Sequence, residues 1–447
     1  MMKSLRLTFA TLPLTLVYYG ITDAFPLTHH CGLHVAARHK RMHRTNLSRL
    51  WYRELDQDDG KDVLRKVQIR APPGFDVKES LAQKNRGDKG PSSGMNILLI
   101  RALLINQGLI LTIATIISLA VLITTDGFDA FSHINEIFRW SGVGDVDLLL
   151  TPNRLLIGAA AAVPIVAFGN LVEDSDQRIF AKINFSTITM VLTLFGRRTK
   201  PPDVFLPPNA IRRTYPTTST MEALVVSFVL STITGFCEES VFRVEVPSLL
   251  HHYFFNDIFP LLPLLCQAML FAFGHSQPRT SFQENSVVVA LQFVNGIWFG
   301  MVYILTGGDV VPCMVAHAVY DFVVFFKTWW DANGQIEYAE SMLLMPLPSN
   351  VQRDVDIMLL KGMDPKVFNQ VKRLFFTFDF DKNKSLSKSE VRKGFSYLAL
   401  EKAGSPPPQE QVDALFEKFT SVADKSRLTV PDFLRLYTTS VVSRTSD

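Results

Sequence analysis

The sequence predicts an all-α protein: a polytopic transmembrane helix bundle followed by a soluble helix–loop–helix domain. Three observations predict it. Charged residues make up only 19 % of the 447 positions, against about a quarter in an ordinary soluble domain, and mean hydropathy is positive at +0.17. Apolar runs of bilayer length crowd the stretch 97–330. Beyond Trp330 the composition turns polar, with Phe368, Val371, Leu374, Phe375 and Phe378 at helical spacing. The length suits two or three domains. Lys plus Arg less Asp plus Glu, 45 − 42, leaves a net charge of +3, which gives no electrostatic footprint for nucleic acid. Four cysteines, Cys31, Cys237, Cys266 and Cys313, are too few for a disulfide scaffold.

Residues 1–25 read as a signal peptide, with Lys3 and Arg6 ahead of a short apolar run. Residues 26–57 open with Arg38, Lys40, Arg41, Arg44, Arg49 and Arg53 and no acid before Glu54, as in a transit peptide. The Ala24-Phe25-Pro26 junction resembles the bipartite presequences of plastids bounded by several membranes. A plastid membrane is therefore the expected location, and the endoplasmic reticulum is the alternative. Residues 58–96 read as a polar linker.

The membrane body, 97–330, contains apolar runs at 103–124, 155–172, 221–235, 258–273, 287–305 and 310–326. A shorter run, 184–195, suits the interface, which gives six to seven spans. With it in the interface, both ends and the basic 197–213 loop share one side, in line with the positive-inside trend.

Ionisable groups inside such runs are costly and point to function. Glu239 and Arg243 are i and i+4 and can pair, while Glu238 is turned about 100° away on a helix. Phe271 and His275 end one run, and His317 and Asp321 share a helix face in the last. These residues form the patterns Glu-Glu-x-x-x-Arg, Phe-x-x-x-His and His-x-x-x-Asp, in that order. Together they resemble the three motifs of the CPBP family, the CAAX prenyl endopeptidases and bacteriocin-processing (Abi) proteins, over about residues 150–327.

The resemblance implies an intramembrane endopeptidase. Glu238 would be general base on a water shared with His275, and His317 and Asp321 would stabilise the oxyanion. Glu239, Arg243 and Phe271 would support them. The implied substrate is a protein or prenyl-peptide, met among membrane lipid. Prenyl-processing members carry Asn where this chain has Asp321. An ionised Asp cannot donate, so Asp321 must be protonated or must orient His317. A small residue often follows the Arg in the family, but here Val244 and Glu245 do. The alternatives are a non-proteolytic scaffold of the same family, pairs that only hold helices together, and zinc on the Glu, His and Asp set, disfavoured because no His-Glu-x-x-His run occurs.

The tail, 350–447, contains two helix–loop–helix units. Loop 379–390 resembles the twelve-residue EF-hand calcium loop. Its ligands would be Asp379, Asp381, Asn383, the carbonyl of Ser385, Ser387 and the bidentate Glu390. Lys384 stands where glycine is expected, in a left-handed turn that costs roughly 1–2 kcal/mol. Loop 421–432 lacks the carboxylates and reads as a silent partner, with Leu428 beside Leu386. Calcium is thus the expected cofactor, and a calcium-dependent protein partner is a further expectation.

Overall fold

The computed structural model describes residues 94–126, 151–198, 217–250, 261–276, 282–360, 365–401, 405–420 and 426–442. The expected signal peptide, transit peptide and nearly all of the linker lie outside them, as do residues 421–425 of the second loop.

The fold is all-α, with one two-stranded ladder. In chain order the membrane part comprises α1 (Ile97–Asp126), α2 (Pro152–Asp174), α3 (Arg178–Phe195), α4 (Thr220–Glu239), a π-helical turn (Ser240–Glu245) and α5 (Val246–Leu250). It continues with α6 (Leu261–Gly274), α7 (Phe282–Leu305), α8 (Val311–Phe322), a second π turn (Val323–Lys327) and α9 (Thr328–Leu344). Among the described residues, six stretches are long and apolar enough to cross a membrane: Ile97–Thr124, Pro152–Asp174, Arg178–Phe195, Thr220–Leu250, Asn285–Leu305 and Val311–Leu344. Residues 262–274 form a shorter apolar helix where a full span was expected.

Local chemistry sets the ends. α4 begins with a capping box: Ser219 Oγ accepts from Glu222 N (3.2 Å) and Glu222 Oε2 accepts from Ser219 N (2.8 Å). Pro152 and Pro312 sit in the first turns of α2 and α8, where no N–H partner is lost. Two glycines let α8 sink between its neighbours. A Cβ at Gly235 would lie 2.7 Å from the Met314 carbonyl oxygen, and one at Gly158 would lie 2.7 Å from that of Pro312. Without a hydrophobic drive between helices in lipid, this close approach supplies the attraction.

α3 is longer than its apolar run suggested, yet the tail covers one of its faces. Phe185 packs on Tyr397 (centroids 5.8 Å apart) and Arg178 donates to the Pro406 carbonyl (2.5 Å). A helix with a polar domain on its flank cannot be ringed by lipid.

The tail comprises α10 (Ser349–Leu360), α11 (Pro365–Phe378), β1 (Leu386–Ser387), α12 (Lys388–Glu401), α13 (Gln409–Phe419), β2 (Arg427–Leu428) and α14 (Val430–Val442). β1 and β2 pair antiparallel, Leu386 opposite Leu428 as expected. The body and tail do not separate at residue 330. The last membrane stretch, Val311–Leu344, has 34 residues, so it is about 51 Å long against a hydrocarbon core of about 30 Å. Its end must leave the membrane, and Ala339, Met342 and Leu347 share one buried cluster with Phe375, Phe378 and Phe433 of the tail. The sequence marked a composition change there, but one helix serves both sides.

Candidate active site and calcium loop

The site is assembled where α4 widens into its π turn. Inserting one residue per turn is a common device at functional positions. Just before the π turn, the last two residues of α4 are consecutive glutamates that meet different partners, as residues about 100° apart on a helix do. Glu239, fully buried, forms an ion pair with Arg243 (Nε–Oε2 2.9 Å). Arg243 also donates to Gln267 Oε1, and Gln267 in turn donates to the Gly296 carbonyl (3.1 Å). The guanidinium lies over the Phe271 ring at 5.2 Å. Arg243 thereby ties α4 to α6 and α7.

α8 brings the second pair. His317 Nδ1 lies 2.8 Å from Glu239 Oε1. A carboxylate only accepts, so Nδ1 carries the hydrogen. The imidazole stacks on Phe299, with centroids 4.9 Å apart at 14°. Its Nε2 faces Asp321 Oδ2 (3.6 Å) and Glu238 Oε2 (4.0 Å). The i, i+4 spacing thus does place Asp321 beside His317, but the near partner of His317 is Glu239. The sequence could not show that contact, because it joins residues 78 apart.

His275 closes the group. Its Nδ1 meets the Phe271 carbonyl at 2.8 Å, so Nδ1 donates, and Nε2 lies 3.7 Å from Glu238 Oε2. Glu238 is 6 % exposed. Its Oε1 accepts from Gln107 Nε2 (3.0 Å), and its Oε2 has no hydrogen-bond partner among the described residues. Glu238, His275, His317 and Asp321 all line one cavity of about 310 Å³. The cavity runs from Phe271 past Asn184 to Glu173 and Lys327, which pair at 2.7 Å. Glu245, beside Val244 at the departure from the family pattern, faces away from this group. It is buried and accepts from Thr115 (2.8 Å) and Ser118 (3.0 Å) of α1.

Sequence reasoning missed Gln107, Gln267 and Phe299. All three are uncharged residues in long apolar runs, with no spacing to mark them.

The tail loop gathers three of the six expected ligands. Oxygens of Asp379, Asp381 and Glu390 lie within 4.8 Å of one another. Asn383 N and Lys384 N donate to the two oxygens of Asp379 (3.0 and 2.9 Å), and Ser387 N and Oγ donate to Glu390 Oε2 (both 2.8 Å). Ser385 N donates to Asn383 Oδ1 (2.8 Å). Lys384 adopts the left-handed turn at φ +67°, as position six requires. Burial raises the carboxyl pKa of Asp379 above its usual value. A cation at the loop would relieve that cost, so the donor set fits calcium. α9 reaches the same loop: Tyr338 Oη donates to Asp379 Oδ2 (2.5 Å), and Gln335 Nε2 donates to the carbonyls of Phe376 (2.9 Å) and Asp379 (2.9 Å).

Residues 220–323 match the family model described as type II CAAX prenyl endopeptidase Rce1-like. The membrane domain carries an Rce1-like region. Residues 368–438 match an EF-hand domain pair. No curated protein and no solved structure matches the chain. The Rce1-like match spans α4 to the end of α8, so it contains Glu238, Glu239, Arg243, His275, His317 and Asp321, while α1, α2 and α3 lie outside it.

Removing Arg243 takes the permanent counter-charge from buried Glu239 and leaves it only its contact with His317. Arg243→Met is expected to destabilise the Rce1-like domain by about 3–5 kcal/mol, read as a lowered thermal midpoint in detergent. A midpoint equal to that of the wild type would show the pair to be dispensable.

Proposed function

We propose that the chain is an intramembrane endopeptidase of the CAAX prenyl type, with Glu238 as general base. The observation that carries this is the free Glu238 Oε2, set 3.7 Å from His275 Nε2 on the cavity wall. That separation is too long for a direct hydrogen bond and suits two acceptors sharing one water. With Nδ1 donating to the Phe271 carbonyl, His275 presents Nε2 to that water. Glu238 takes one proton as the water oxygen attacks the peptide carbonyl carbon. His317, with Nδ1 donating to Glu239 and a second proton on Nε2, donates to the oxyanion. Asp321 acts as the counter-charge that orients His317, which removes the need for Asp321 itself to donate. As the tetrahedral carbon collapses, the C–N bond breaks and the proton held by Glu238 passes to the leaving amine. The walls, including Val166, Phe168, Ile183 and Leu291, suit an apolar or prenylated segment.

The expected result is a loss of roughly 10²–10⁴-fold in cleavage of a farnesylated CAAX peptide by Glu238→Gln, with binding of the peptide kept. Cleavage unchanged in that variant would favour a non-proteolytic scaffold.

The tail is proposed to make the enzyme calcium-responsive. Calcium would be held by Asp379, Asp381, Asn383, the Ser385 carbonyl, Ser387 and Glu390. Tyr338, on the helix that continues from His317 and Asp321, fixes one oxygen of Asp379 from outside the ligand set. Tyr338→Phe is expected to weaken calcium binding about tenfold, as loss of outer partners does elsewhere, measured by calorimetry on the full chain. An unchanged affinity would detach α9 from the calcium site.

The proposed location is a plastid membrane, on the strength of the Ala24-Phe25-Pro26 junction and the basic stretch after it. A fluorescent fusion at the C-terminus is expected to mark the plastid; an endoplasmic reticulum pattern would overturn this.

A further inference from the structure

α1 lies outside the Rce1-like match, yet it touches the reaction centre. Gln107 sits about a third of the way along it and donates through Nε2 to Glu238 Oε1 at 3.0 Å. The direction is fixed, because a carboxylate can only accept. Gln107 reaches Glu238 from α1, none of whose residues line the cavity. Its own Oε1 is buried with no hydrogen-bond partner among the described residues, so the amide gives up one hydrogen bond to keep this contact. Further along α1, Thr115 and Ser118 hold Glu245. The two contacts bracket the π turn, one on the residue before Glu239 and one at the turn's last residue.

We propose that Gln107 is a positioning residue for Glu238, supplied by a helix outside the Rce1-like segment. A glutamate carboxylate turns freely about its last torsion, which has a broad, two-fold profile. The Gln107 hydrogen bond pins one oxygen. The other is then presented to His275 and His317 at 3.7 and 4.0 Å. The contact to Glu245 has a different task, which is to hold the π turn against α1. α1 thus combines one contact that tunes chemistry with another that serves packing. This inference rests on the reading of Glu238 as the base, and the experiment separates the two.

The full chain is reconstituted in nanodiscs and assayed with a quenched fluorescent farnesylated peptide ending in a CAAX sequence. Gln107→Leu is expected to lower kcat about 10- to 100-fold, with KM held within about twofold. Its thermal midpoint should stay near wild type, since the change also removes the unpaired Gln107 Oε1 and Glu238 itself lines the cavity. Thr115→Val is expected to do the reverse, lowering the midpoint and leaving kcat unchanged. An undiminished kcat in Gln107→Leu, or a fall shared by both variants in step with their midpoints, overturns the proposal. If the wild-type chain does not cleave the peptide, the endopeptidase reading fails instead. Gln107 is then judged by dicyclohexylcarbodiimide labelling of Glu238, read by mass spectrometry. Labelling at least about threefold faster in Gln107→Leu supports the hold on the carboxylate, and equal labelling overturns it.

Discussion

The cost of burying Glu239 governs this structure. A carboxylate with no solvent contact, in the middle of an apolar bundle, survives only if every neighbour compensates it. Arg243 supplies charge from the same helix, and His317 supplies a hydrogen bond from α8. Each of these has its own obligations. Arg243 needs Gln267, Gln267 needs the Gly296 carbonyl, and His317 needs the face of Phe299. Satisfying one acid therefore fixes α4, α6, α7 and α8 relative to one another. Glu238 inherits its position from that framework without having to hold it together.

This division explains why two adjacent acids can have opposite characters. Glu239 is consumed by structure, whereas Glu238 keeps one oxygen unpaired at the cavity wall. Their environments differ because consecutive side chains on α4 point about 100° apart, and the π turn follows directly after them. A second π turn stands just after Asp321, where the last membrane helix begins its passage towards the tail. Both irregular turns flank ionisable residues, and both lie where the bundle must open around a polar pocket.

The tail is bound to the bundle by more than its linker. α9 leaves the membrane as an uninterrupted helix and is buried in the core of the EF-hand pair. A second contact lies across α12, where Arg392 pairs with Asp176 (2.8 Å) and Lys393 donates to the Glu173 carbonyl (2.8 Å). Glu173 in turn pairs with Lys327 at the cavity's edge. Any change in the loop's packing therefore meets the membrane domain at two places, one on the helix carrying His317 and one beside the pocket.

The residue order was enough to establish the membrane helices, the EF-hand loop with its odd Lys384, the Leu386–Leu428 pairing and the three motifs, because each depends on near neighbours or on a fixed period. Helical spacing alone made Glu239 reach Arg243 and put Asp321 beside His317. The boundary after Trp330 was legible as a change in polarity, but helix continuity across it was not, since a polar stretch can extend a helix as readily as end it. Only the tertiary structure decided that His317 answers to Glu239, that Gln107 stands behind Glu238 and that Tyr338 reaches Asp379. Those contacts join residues between 41 and 131 positions apart. No periodicity carries such information, because it arises when glycine-lined helix faces close and buried polar atoms must find partners in whichever helix lies opposite.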